Sequence, residues 1–189
     1  MHPPPVRPSA AAVRRVFVPR AFVPLLLCCA LLFGTAACGG DSDASPSATS
    51  SAERQKFAKT RFVANAGLAA GATYQWIVKP YRDGRFKSGA DGRRFALVKA
   101  GLAGAFTYNR LKAALRNAKG DPTLAKAVAP LAAGVEALKD LPSKLRKGDS
   151  TEAVVGSFDG AINSVKDAGR SAGAEVKDKV PSAGELAKG

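Results

Sequence analysis

The sequence is nearly empty of the side chains on which metal and redox chemistry depends. Its 189 residues include one histidine, one methionine and three cysteines, and all five, Met1, His2, Cys28, Cys29 and Cys38, stand at or before position 38. Beyond Cys38 the chain offers no imidazole, thioether or thiol, the usual borderline and soft ligands for zinc, copper, haem and iron–sulfur clusters. No metal site and no cofactor is expected. Motifs of common catalytic folds give no support either: there is no G-x-x-x-x-G-K-[ST] phosphate loop, and no nucleophile elbow is read, because Gly169-Arg170-Ser171-Ala172-Gly173, which has the G-x-S-x-G form, falls in an expected helix and not after a strand. Catalysis would be left to serine, lysine, tyrosine or carboxylate groups with no histidine or thiol to assist, so a non-enzymatic protein is expected. Period-two alternation between turn residues is also absent and β-branched residues are scattered, which argues against strands.

What is present begins with the first forty residues. MHPPPVRPSAAAVRRVFVPR carries Arg7, Arg14, Arg15 and Arg20 and no carboxylate, and AFVPLLLCCALLFG, residues 21 to 34, is apolar throughout. That run is shorter than the roughly twenty residues a spanning helix needs and suits the core of an export signal. Thr35-Ala36-Ala37-Cys38 follows, and then Gly-Gly-Asp-Ser. In this order the segments resemble bacterial lipoproteins, and the TAACGGD junction, with high Ala, Gly and Arg use, is similar to those of actinobacteria; Thr35 departs from the Leu usual in the lipobox. The resemblance implies that Cys38 takes a diacylglyceryl group and that residues 1–37 are removed ahead of it. The mature chain would then be lipid-anchored on the extracytoplasmic face of the cell membrane, with two acyl chains giving the stable hold that one does not. The alternative is an ordinary secreted protein cut near Ala37, with Cys38 a free thiol. Arg14-Arg15-Val16-Phe17-Val18 also resembles a twin-arginine export motif, but Val13 and Pro19 depart from its usual flanks, and general secretion is the expected route. With Cys28 and Cys29 removed, no intramolecular disulfide can form.

Residues 38–50 then read as an acylated cysteine and a flexible tether, GGDSDASPSATS, too small and polar to bury a core and reaching roughly 20 Å. Residues 51–180 are expected to form one all-α domain, a four-helix up-down bundle. Ser50 with Glu53 reads as a capping box opening a first helix that Pro80 ends near Lys79. A second helix is expected from about Asp91 to Lys119, before Gly120. Asp121-Pro122 reads as the N-cap and first turn of a third helix, with Leu124, Val128, Leu131, Val135 and Leu138 as its apolar stripe and a kink at Pro130. Leu141-Pro142 marks its end, and SKLRKG reads as a short turn. Asp149 with Glu152 is read as a capping signature for a fourth helix, whose inner face would carry Val154, Phe158, Ile162, Val165, Ala172 and Val176. Residues 181–189 are expected to be a disordered tail. Residues 62–78 are too polar, with Asn65 and Gln75, for a transmembrane helix.

AGLAAGATY (66–74) and AGLAGAFTY (100–108) form a near-repeat. Two copies do not make a solenoid. On antiparallel helices they would set Tyr74 over Gly101 and Gly104, and Tyr108 over Gly67, as core packing that offsets the ~1 kcal/mol cost of mid-helix glycine.

Charge is the remaining signal. The formal net charge is +14 and falls to +10 with the signal, because four arginines and no acids leave. Residues 54 to 119 hold fifteen Lys and Arg against only Asp83 and Asp91, whereas residues 120 to 189 hold ten of each sign. The centre is KPYRDGRFKSGADGRR, 79–94, in which Lys79, Arg82, Arg85, Lys87, Arg93 and Arg94 flank Tyr81 and Phe86. Cations mixed with aromatics suit an anionic partner, because charge attracts over a Debye length and rings settle at an interface. Anionic lipid headgroups, wall polymers or a protein partner are the candidates; nucleic acid is permitted by charge and specified by nothing. In the second half, Glu136 with Lys139, Asp140 with Lys144, Asp167 with Arg170 and Glu175 with Lys179 read as surface helix pairs.

Overall fold

A computed structural model describes residues 46–188, with side chains from Ser50 onward. Among these residues every regular element is helical, in the order α1 (Pro46–Thr73), a π-helical turn (Tyr74–Val78), α2 (Lys79–Arg82), α3 (Arg93–Ala118), α4 (Pro122–Val128), a 3₁₀ turn (Ala129–Leu131), α5 (Ala132–Glu136), α6 (Leu141–Lys147), α7 (Thr151–Ser171) and α8 (Ala183–Ala187).

The first helix departs from expectation at both ends. It opens at Pro46, inside the stretch expected to be spacer, where a first-turn proline costs nothing because its missing N–H would be unbonded anyway. Ser50 is therefore inside the helix, and its carbonyl accepts from Arg54 Nε. At the other end the helical path runs through Pro80 to Arg82. A proline in a regular helix removes one amide donor and crowds the carbonyl four residues back, here that of Trp76. The chain widens locally instead: the Lys79 amide donates to the Tyr74 carbonyl, five residues back.

α1 and α3 form an antiparallel hairpin. Thr73 Oγ1 meets Thr107 Oγ1 at 3.1 Å, while Lys59 Nζ stands 3.7 Å from the Asp121 carboxylate and Ala58 packs on Gly120. The partners lie farther apart in sequence toward the open end, as an antiparallel pair requires. Alanines line the seam, with Ala66, Ala69, Ala72, Ala100, Ala103 and Ala114 all buried. α7 packs on α1, α4 and the π turn and adds Val154, Phe158, Ile162 and Val165 to the core.

The expected third helix is divided. Asp121 caps it as the sequence indicates, Oδ1 accepting from the Leu124 amide at 2.8 Å. Leu124, Val128, Val135 and Leu138 are buried and Leu131 half-buried, but at Pro130 the chain tightens into the 3₁₀ turn that separates α4 from α5. SKLRKG is not a turn. Pro142, placed in a first helical turn where proline is accommodated, starts α6, which buries Pro142 and Leu145 against α3. α7 then opens from Ser150 with a left-handed backbone (φ 45°) and no side-chain cap, in place of the expected Asp149–Glu152 signature.

The C-terminal segment also departs from expectation. α7 stops at Ser171 because Gly173 takes a left-handed conformation (φ 66°). The amides of Gly173 and Ala174 then donate back to the carbonyls of Arg170 and Gly169, the Schellman pattern. Ala172 and Val176 are buried as expected, but Val176 lies on an extended strap that crosses α1. The Lys179 amide donates to the Gly67 carbonyl at 2.9 Å. Residues 183 to 187, expected to be disordered, form α8 behind a complete Ser182/Glu185 capping box, with Leu186 in the core.

Candidate functional site

At the closed end of the hairpin, residues 83 to 92 make a pinned loop. The Gly84 and Arg85 amides donate to the Tyr81 and Pro80 carbonyls and stop α2, and the Lys87 and Ala90 amides close two further turns. Phe86 is buried, its ring centroid 6.3 Å from that of the half-buried Tyr81. These two rings anchor the loop and are not available to a partner in the way the sequence suggested. Arg93 is also turned to structure: its Nε donates to the Phe86 carbonyl at 2.9 Å and its guanidinium crowds Gly148. Lys79, Arg82, Arg85, Lys87 and Arg94 are exposed. So five of the six expected cations share one fixed tip.

The aromatic groups beside those cations come from the flanking helices. Trp76 sits on the π turn that precedes Pro80. Phe95 is in the first turn of α3. Lys99, one turn on, lays its ammonium 4.3 Å from the centre of the Phe95 ring and 5.1 Å from that of Trp76, within cation–π range. Together with Gln75, Lys79, Arg85 and two acids, Asp83 and Asp91, they line a cleft of about 340 Å³. The Trp76 Nε1–H is buried and has no hydrogen-bond partner. The cleft therefore combines flat apolar walls with three cations, a surface suited to an anion attached to an apolar body. Sequence reading missed Trp76, Phe95 and Lys99 because it sought the rings inside the loop; the signal was the exposed i, i+3, i+7 series Phe95, Val98, Leu102.

The near-repeat works differently from the expectation. Neither tyrosine covers a glycine. A β-carbon at Gly67 would stand 2.5 Å from the Lys177 carbonyl oxygen on the C-terminal strap, and one at Gly101 or Gly104 would meet Pro142 of α6, with Arg146 or Phe158 beside it. The glycines of each copy thus admit a third chain segment, not the partner helix. The helices meet through the threonines: Thr73 and Thr107, equivalent in the two copies, are buried and hydrogen-bonded to each other. Tyr74 is exposed. Tyr108 donates to Glu136 Oε1 at 2.9 Å and accepts from Lys112 Nζ at 3.1 Å, and Lys112 stands 3.3 Å from Glu136 Oε2. The Tyr108 hydrogen bond, then that of Lys112, holds the Glu136 carboxyl below its ordinary range. Hydrogen bonds to Tyr108 and Glu136 hold Lys112 above its own. The cluster thus ties α5 to α3. Glu136 makes its direct ion pair with Lys112, the expected Lys139 adding only a weaker charge interaction, while Asp167 and Arg170 pair at 3.3 Å.

Among the described residues no group of three or more His, Cys, Asp or Glu could hold a metal ion, and no helix is long and apolar enough to cross a membrane. Cys38, the expected export signal and residues 38–45 of the expected tether lie outside the described residues. Compared with protein-family models, with curated proteins and with solved structures, the chain matches none.

Proposed function

We propose that this chain is a lipid-anchored extracytoplasmic protein whose helical domain, four-helix and up-down in ground plan with its third member divided, binds an anionic envelope component through the tip of its first hairpin. The anchor rests on the ordered series of basic start, apolar run, Thr35-Ala36-Ala37-Cys38 and polar spacer. The binding role rests on one observation: Lys79, Arg82, Arg85, Lys87 and Arg94 are exposed on and beside a loop fixed by buried Phe86 and inward-turned Arg93. Among the described ion pairs none involves these five. Charges on a pre-formed scaffold lose little freedom on binding and keep their attraction for the partner.

Two measurements test the reading. Mass spectrometry of the membrane-extracted protein is expected to find a chain beginning at an acylated Cys38; a bare thiol there, or an intact Met1, overturns the anchor. Binding to phosphatidylglycerol vesicles and to phosphate-rich wall polymer is expected to fall steeply with added salt. Replacing Arg82 and Lys87 by glutamine is expected to weaken vesicle binding about 30-fold, at ~1 kcal/mol for each cation near an anionic surface. No binding to either anion at low ionic strength overturns the proposed role.

A further inference from the structure

The outer wall of the cleft continues along α3 as an apolar stripe. Phe95, Val98 and Leu102 are 65, 46 and 39 % exposed, and their spacing puts them on one face of the helix. The core is complete without them. Cations border the stripe: Arg94 immediately precedes it and Lys99 lies within it in sequence, Lys99 reaches across Phe95 toward Trp76, and Lys79 and Arg85 line the same cleft. A purely electrostatic contact would use the cations and leave three large apolar side chains in water. A bilayer surface takes both parts, with apolar groups in the headgroup–acyl boundary and cations at the phosphates.

We infer that the Phe95–Val98–Leu102 face enters the interface of an anionic lipid bilayer. Phe95 and Leu102 sit at the acyl boundary, and Lys79, Arg85, Arg94 and Lys99 at the phosphate level. The inference rests on the anionic-binding role proposed above and names its ligand: the bilayer, as opposed to a soluble phosphate polymer. It also has a geometric consequence. The helical path from Pro46 to Arg82 is roughly 55 Å long at 1.5 Å per residue, so a second attachment at the tip would lay the hairpin along the bilayer.

Trp76 is the sole tryptophan and lines the cleft, which makes it a local reporter. The full-length protein would be reconstituted in vesicles of phosphatidylcholine alone or mixed with phosphatidylglycerol, each doped with lipids brominated near the headgroup, and Trp76 emission recorded. Capture of inorganic polyphosphate by the same preparation reads the charge alone. In anionic vesicles Trp76 emission is expected to be quenched at least twofold more than in neutral ones, with the difference removed by high salt. The Val98→Ser, Leu102→Ser variant, altered only at exposed positions outside the cleft, should lose that quenching while keeping its helical circular dichroism and polyphosphate capture. Polyphosphate capture without Trp76 quenching overturns the bilayer inference and leaves the anionic role standing; loss of both overturns both. Quenching without polyphosphate capture supports the bilayer as the specific ligand. Quenching unchanged in the serine variant overturns the assignment of the stripe.

Discussion

A β-carbon on Gly71 would collide with the backbone of Lys179 and Val180, because the C-terminal strap lies directly on α1 there. Helix propensity alone favours alanine over glycine by ~1 kcal/mol, so the two considerations oppose each other and the contact decides. Gly71→Ala is expected to lower the unfolding midpoint and speed hydrogen exchange of the Lys179 amide. Gly156→Ala, on the open face of α7 with nothing within 4 Å, should raise stability by up to about 1 kcal/mol. The buried threonine pair gives a second contrast at this scale. Thr107 Oγ1 has an alternative acceptor in the Ala69 carbonyl, 3.4 Å away, so Thr73→Val is expected to cost ~1 kcal/mol or less. Thr107→Val leaves the Thr73 hydroxyl without its partner on α3, at about 1 to 3 kcal/mol, and replacing both by valine should be close to neutral. Chemical denaturation of the three variants reads these differences. The repeat was visible in the sequence, but which of its residues meet was not, since Gly, Thr and Tyr all recur at the same spacing.

At the scale of elements, Pro80 shows how one residue can be read correctly and its consequence misjudged. A proline that cannot continue a regular helix predicts a stop, yet the helix continues by widening into the π turn that carries Trp76. Pro80→Ala restores the missing donor, and the turn is expected to tighten toward α geometry. Near-ultraviolet circular dichroism and Trp76 emission should both change, with total helix content kept. An unchanged Trp76 signal would show that the π turn does not depend on the proline. α8 offers a pH-dependent test. The Ser182 amide, then its hydroxyl, holds the Glu185 carboxyl below its ordinary value. Because the folded value is depressed, the capping box contributes stability above the ordinary carboxylate range and loses it as pH falls through that lowered value. Exchange protection in α8 should drop over that acid window in the native chain. In Glu185→Gln, which can still bond the Ser182 amide without titrating, the dependence on pH should vanish.

For the whole molecule, the long elements were the legible ones. α3 falls within a residue or two of its expected limits, and Asp121-Pro122 opens α4 as expected, because caps and prolines act locally. α6, α8 and the strap were not legible. SKLRKG has no periodicity long enough to distinguish a helix from a turn, and the strap is held by a mid-helix carbonyl, Gly67, more than a hundred residues away. The candidate site was half legible: the cations were apparent from charge alone, and five of six are exposed at the tip. The aromatics were misplaced because Phe86 and Trp76 are assigned to core or cleft by packing.

The sequence by itself determined the helical class, the charge asymmetry and the absence of soft metal ligands beyond Cys38, since each depends on composition or on neighbours within a few turns. The tertiary structure alone decided which glycines receive which chain segment, that Arg93 and Phe86 serve the loop while Phe95 and Lys99 face outward, and that the C-terminus is strapped to α1. Those outcomes depend on which surfaces come within van der Waals contact, and for the glycines and the strap the other half of the contact is supplied by residues distant along the chain.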